Sequence, residues 1–139
     1  MAGGKRGRKL MYETPEEFAA AIEEYFDKCE GKMLEVDGKP VFDKYGHPVI
    51  IGAHPPTMTG LALHLGFTSR QAFLNYKDKK EFFDTYTRAR ARCEMYAEER
   101  LYDKDGARGA QFALQYGFGW AQEEQDAEKK VVLKIVDDL

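Results

Sequence analysis

A chain of 139 residues, 43% hydrophobic and 32% charged with a formal net charge of −3, suffices for one ordinary domain, or for a small domain plus an oligomerisation element. That apolar share excludes an intrinsically disordered chain, and no run of about 18 apolar residues is present to span a membrane. The opening residues lack the apolar stretch of a signal peptide, so a cytoplasmic protein is expected, with Cys29 and Cys93 reduced and acting as small buried hydrophobes. His47, His54 and His64 do not have zinc-ligand spacing with either cysteine, and neither metal nor cofactor is expected.

The charge is unevenly placed. Residues 1–12 carry Lys5, Arg6, Arg8 and Lys9 with no acid, and residues 57–80 carry Arg70, Lys77, Lys79 and Lys80 against Asp78 alone, so the remainder is strongly acidic. Such polarity suits a molecule that meets phosphates at one end and repels them at the other.

In chain order, residues 1–12 are glycine-rich, basic and without apolar periodicity, which predicts a flexible arm. Arms of this kind ride on phosphates or enter a minor groove, the alternative being a solvated terminus that does little. Thr14-Pro-Glu-Glu17 then opens a helix with a cap, a proline in the first turn and acids near the positive end of the dipole. Phe18, Ala21, Ile22, Tyr25, Phe26 and Cys29 form its inward face. Between Gly31 and Pro56 the period changes: within a β-excursion over residues 33–51, Met33 to Val36 and Val49 to Ile51 read as strands separated by Asp-Gly, Tyr-Gly and proline signals. This β-excursion is either a local hairpin beside the first helix or an arm reaching a neighbouring subunit.

Residues 57–76 have the pattern of a helix-turn-helix. Thr59 is placed to cap the first helix, with Leu61, Ala62 and Leu65 on one face and Gly66 at the sharp turn. Phe67 plugs the angle, and Thr68 with Gln71 forms a T-x-x-Q capping box for the second helix. There Ala72, Phe73 and Tyr76 point inward, Tyr76 taking over the packing that Asn75, in the usual apolar position, cannot supply. Ser69, Arg70, Gln71, Asn75 and Lys77 are left outside. Arg and the amides read base edges in bidentate fashion, while Ser and Lys suit phosphates. The alternative is a plain helical corner inside a small core.

From about Lys79 to Asp103 no glycine or proline interrupts a helical pattern of Phe82, Tyr86, Ala89, Cys93 and Tyr96, with Leu101 beside it. Lys104-Asp-Gly106 breaks it, and a shorter helix runs from about Ala107 to Tyr116. So short a turn implies an antiparallel hairpin, with more apolar surface than one hairpin buries. Trp120 is expected in a turn as a packing anchor, followed by an acidic linker and a strand, Val131 to Val136, whose partner would come from another copy. The expected fold is mainly α: arm 1–12, helix-turn-helix domain 13–78, helical oligomerisation hairpin 79–120, and 121–139 as linker and C-terminal strand closing an intersubunit barrel. Phe82, Tyr86, Tyr96 and Leu101, with Val132, Leu133 and Ile135, are the expected contacts of a homo-oligomeric ring.

The order of basic arm, T-P-E-E helix, Tyr-Gly-x-Pro excursion, Thr-Gly-Leu-Ala…Leu-Gly-Phe-x-Ser-Arg-Gln…Tyr helix pair, long helix and Phe-Gly-Trp close resembles the small terminase subunit, or DNA-packaging protein, of tailed bacteriophages, over roughly residues 14–136. The resemblance implies a non-catalytic subunit that recognises double-stranded viral DNA, assembles as a ring and passes DNA to a large terminase subunit holding the ATPase and nuclease. The sequence agrees in lacking a G-x-x-x-x-G-K-[ST] phosphate loop and any evident nucleophile constellation, so no catalytic residues are expected. It departs in carrying no long basic tail after the strand, where the family's tail contacts DNA or the large subunit. The competing reading is a prophage transcriptional regulator, a dimer on a palindromic operator, which solution mass distinguishes from a ring.

Overall fold

Helix α1 (Pro15–Cys29) begins as its sequence dictates. The Thr14 hydroxyl accepts from the Glu17 N–H at 3.1 Å, Pro15 occupies the first turn where no N–H is needed, and the Glu17 carboxylate accepts from the Glu13 N–H at 3.3 Å. The computed structural model describes residues 11–137, which form two units divided within a single long helix, after Arg90.

In the first unit, α1 buries Phe18, Ile22, Tyr25, Phe26 and Cys29, the face expected from its 3.6-residue period, with Ala21 half-buried. Strands β1 (Lys32–Met33) and β4 (Ile50–Ile51) pair antiparallel, Lys32 opposite Ile51, and β2 (Glu35–Val36) pairs with β3 (Lys39–Pro40). Asp37 and Gly38 both take positive φ (51° and 76°), as a tight type I′ turn requires, so β2 and β3 close a two-residue hairpin. Leu34 joins the ladders, donating to Val49 O at 2.8 Å and accepting from Val41 N–H at 2.9 Å. The β-excursion is thus a local hairpin, paired within its own chain; β3 was not foreseen because Lys-Pro is a poor strand sequence.

Helices α2 (Met58–His64) and α3 (Arg70–Tyr76) follow, joined by a five-residue turn. Both begin differently from the sequence expectation. Thr57, not Thr59, caps α2, accepting from Gly60 N–H at 2.9 Å. Ser69, not the Thr68–Gln71 box, caps α3, accepting from Ala72 N–H at 3.1 Å. In each case more than one hydroxyl lies near the helix start, and the residue that takes the cap has an extended backbone. Gly66 turns the chain at φ 95°, in the left-handed region that favours glycine.

Phe18 is the centre of this unit, fully buried with its ring 5.2–6.2 Å from those of Tyr12, Phe73, Tyr76 and Phe82. Phe67 stacks on Phe73 at 5.4 Å and meets Tyr76 at 5.1 Å, filling the corner between α2 and α3 as expected. Each such ring contributes about 1.5–3 kcal/mol from burial alone. After a single 3₁₀ turn (Lys80–Phe82), α4 (Phe83–Arg100) sets Tyr86 edge-on against Phe73 at 4.9 Å.

The second unit contains the end of α4, α5 (Ala107–Phe112) running into a π-helical turn (Ala113–Gly117), and α6 (Trp120–Asp137). Cys93, Ala110, Leu114 and Phe118 are buried here. Trp120 is the first residue of α6 rather than part of a turn, and its indole N–H donates to the Glu94 carboxylate at 2.7 Å. The expectation of a C-terminal strand is overturned: residues 120–137 are one helix, and no barrel strand is present among the described residues. The run from Ala121 to Lys130 consists of good helix formers without glycine or proline, and once started the helix extends through Val131 to Val136 because each further residue adds a hydrogen bond. In that register Val131 and Ile135, and Val132 and Val136, are i,i+4 neighbours.

Candidate nucleic-acid interface

Helix α3 is held from behind by Phe73, 0% exposed, and Tyr76, 8% exposed, which leaves its other face to solvent. Ser69, Arg70, Gln71 and Asn75 are exposed there, and Lys77, the C-cap, is half-buried. Lys79 and Lys80 are exposed just beyond. The structure therefore brings together the five expected residues of this segment on or beside one short helix. Ser69 is occupied in capping, which removes one acceptor site of its hydroxyl from any other use. Gln71 Nε2 donates to Asn75 Oδ1 at 3.1 Å, so the two amides form one tied pair that still presents the Gln71 carbonyl oxygen and the Asn75 amide hydrogens. This coupling was not legible from residue types alone.

Arg70 stands close enough to the Tyr86 phenol to act on it electrostatically. Burial raises the Tyr86 pKa, and the positive charges of Arg90 and Arg70 oppose that shift. Phe73 of α3 meets Tyr86 of α4 edge-on at 4.9 Å, which fixes α3 against α4.

Sequence reasoning missed the feature that ties the N-terminal side to this helix pair. The Tyr76 hydroxyl accepts from the Tyr12 N–H at 3.2 Å and donates to the Tyr12 carbonyl at 3.1 Å, while the Tyr12 hydroxyl donates to the Leu65 carbonyl at 2.9 Å. Met11 lies over Gly66, where a side chain would approach its Cε to 2.6 Å. Tyr25 makes the same kind of clamp on Thr57, the α2 cap, accepting from its N–H at 2.9 Å and facing its carbonyl at 3.3 Å. Tyr12 and Tyr76 are 64 positions apart, and no local pattern connects them. Lys5, Arg6, Arg8 and Lys9 lie outside the described residues.

The residues expected between subunits are dispersed. Phe82 and Tyr86 are 1% and 6% exposed inside the first unit, so these two are core and offer no surface to a second copy. Tyr96 and Leu101 are half-buried, the Arg100 guanidinium lying 4.6 Å over the Tyr96 ring. Leu101 lines a cavity of about 450 Å³ in the second unit with Gln111, Leu114, Gln115, Trp120 and Glu123. Val132, Leu133 and Ile135 are exposed on α6.

A family model described as DNA-packaging protein gp3 matches residues 7–127, from the basic segment to the first turns of α6. No curated protein and no solved structure matches the chain.

Proposed function

Since the chain belongs to the DNA-packaging protein gp3 family and its role lies in phage DNA packaging, we propose that it is the non-catalytic small terminase subunit, which recognises viral DNA through a helix-turn-helix formed by α2 and α3, assembles as a homo-oligomeric ring and delivers the DNA to the large ATPase and nuclease subunit. The observation that carries the reading is the row Arg70, Gln71 and Asn75, exposed on a helix whose opposite face is locked into an aromatic core. A reading helix needs that rigidity, because hydrogen bonds to base edges fail when the side chains are misplaced. In this role Arg70 is matched to a guanine edge or a phosphate, the Gln71–Asn75 pair to an adenine edge or to backbone, and Lys77, Lys79 and Lys80 to phosphates.

The test is binding to duplexes from the phage packaging region and to scrambled duplexes, for the full chain and Arg70→Ala. We expect the variant to lose about 1–3 kcal/mol on packaging-region DNA and less on scrambled DNA if Arg70 reads a guanine, or a smaller and uniform amount if it meets phosphate. Unchanged binding on both would show that α3 is not the reading helix. A solution mass of two chains would favour the operator-binding regulator over the packaging ring.

A further inference from the structure

Helix α6 is divided along its length. Its first half, Trp120 to Glu128, has Glu123, Asp126 and Glu128 among its acids and no base, whereas residues 129–136 carry Lys129, Lys130 and Lys134 and no acid before Asp137 ends the helix. These charged side chains are exposed, and so are Val131, Val132, Leu133, Ile135 and Val136, so the cationic end of the helix is also its apolar end. The acidic half borders the cavity of the second unit, about 450 Å³, in which Leu101, Leu114 and Trp120 supply the apolar lining and Gln111, Gln115 and Glu123 the polar part. A cavity of about 150 Å³ with apolar walls holds a benzene molecule, so this one has room for roughly two or three aliphatic side chains. Phe112 and Tyr116, next in sequence to the two glutamines, are exposed with their ring centroids 5.0 Å apart and add apolar surface in the same unit.

We propose that residues 129–136 of one copy dock in the Trp120 cavity of a second copy, Val132 and Ile135 entering the apolar lining while the lysines meet Glu123 and the acidic half of that copy's α6. The proposal rests on the reading of the chain as a homo-oligomeric ring. The cavity's own tail cannot fill it: along the helix axis Val131 stands ~16 Å from Trp120 and Val136 ~24 Å, so folding back would break α6. The occupant therefore comes from another chain. Charge complementarity selects which part of that chain it is, since two basic ends packed on each other would bring lysines together, whereas basic end on acidic half pairs opposite signs around an apolar centre. A junction between two different patches of one chain is heterologous, and such a junction repeated around an axis is what closes a ring.

Two full-length variants at exposed positions test this. Ile135→Glu spoils the tail and leaves the cavity intact, while Gln111→Lys combined with Glu123→Lys spoils the cavity rim and leaves the tail intact. Light scattering gives the mass of each alone and of the two mixed in equal amounts, and acrylamide quenching reads Trp120, the chain's one tryptophan, which a docked tail covers. Each variant alone is expected to associate on the order of tenfold or more weakly than the full chain and to scatter as single chains. Mixing restores one sound junction per pair, so a mass of two chains is expected, with less quenching than in either variant alone. No pairing on mixing, pairing without that fall in quenching, or an unchanged assembly mass in either variant alone would each overturn the proposal. If Ile135→Glu loses helicity by circular dichroism, Val132→Glu takes its place in the same mixture. Failure of the ring reading is separable: a full chain with the mass of two chains removes the ring while pairing in the mixture keeps the junction, and a larger full-chain assembly whose variants do not pair keeps the ring and removes the junction.

Discussion

Ser69 and Thr68 stand side by side before α3, and it is Ser69, with an extended backbone (φ −163°, ψ 165°), whose hydroxyl accepts from the Ala72 N–H. Ser69→Ala should therefore cost about 1 kcal/mol in urea unfolding while Thr68→Ala, at an exposed position, changes stability by a few tenths. The reverse ranking would restore the T-x-x-Q box. Tyrosines supply a second prediction at this scale. Tyr12, Tyr25 and Tyr86 all have raised pKa values, in each case mainly because burial disfavours the phenolate; at Tyr12 the nearby Tyr76 and Glu24 add to the shift, and at Tyr25 the bonds to Thr57 offset part of it. Below the ordinary tyrosine value of about 10, all three are neutral folded and unfolded, and their contribution to stability is intact. As pH rises past that value the unfolded chain loses protons that the folded chain keeps, so stability falls until the folded phenols ionise as well. Urea midpoints are expected to be flat from neutral pH to about 9 and to drop above about 10; a flat profile to higher pH would mean that these rings are wet.

At the scale of elements, α1 and α6 show how far the sequence carries. Thr14-Pro-Glu-Glu17 states a helix start in local chemistry, every bond of it between near neighbours, and α1 is where that pattern puts it. Lys130-Val-Val-Leu-Lys-Ile-Val136 is locally ambiguous, since β-branched residues favour a strand by propensity while 131/135 and 132/136 fit one helical face equally well. What decides between them lies upstream: Trp120 is fixed at the helix start by its bond to Glu94, 26 positions away, and Gln122 and Asp126 add an i,i+4 bond at 3.0 Å. The α3 residues were legible because a helix pair with a glycine turn sorts its side chains inward and outward by period. The Tyr12 and Tyr25 clamps were not, because they depend on which chain segments meet. Circular dichroism of a chain lacking residues 129–139 distinguishes the two readings of the C-terminal segment. A helical α6 predicts that the truncation removes helical signal from the spectrum of the full chain. Loss of strand signal with helicity per molecule unchanged would show that the segment pairs as a strand.

For the whole molecule, the question is what covers α6. Val131, Val132, Leu133, Ile135 and Val136 are 57–64% exposed within about a turn and a half of helix, a density of apolar surface that a soluble monomer rarely leaves open. Of the helical-hairpin residues expected at the interface, Tyr96 is half-covered by Arg100 and Leu101 faces the cavity with Trp120, while Phe112 and Tyr116, 66% and 69% exposed, form a second apolar patch in this unit. Phe82 and Tyr86 are spent inside the first unit and have nothing left to offer a neighbour. A homo-oligomeric ring is therefore expected to depend on α6 far more than on α4, with Val132, Leu133 and Ile135 packed between copies. Burial of such side chains contributes about 1.5–3 kcal/mol each before association entropy is subtracted, enough in a closed ring, where each copy uses the interface twice, to hold an assembly at micromolar concentration. Light scattering should give a mass well above a dimer for the full chain, and a lower mass for Leu133→Glu, a charge placed on an exposed position that leaves the first unit untouched. A full chain that scatters as a monomer at that concentration would rule out the ring, whereas an unchanged mass in the Leu133→Glu chain would move the interface from α6 to another surface.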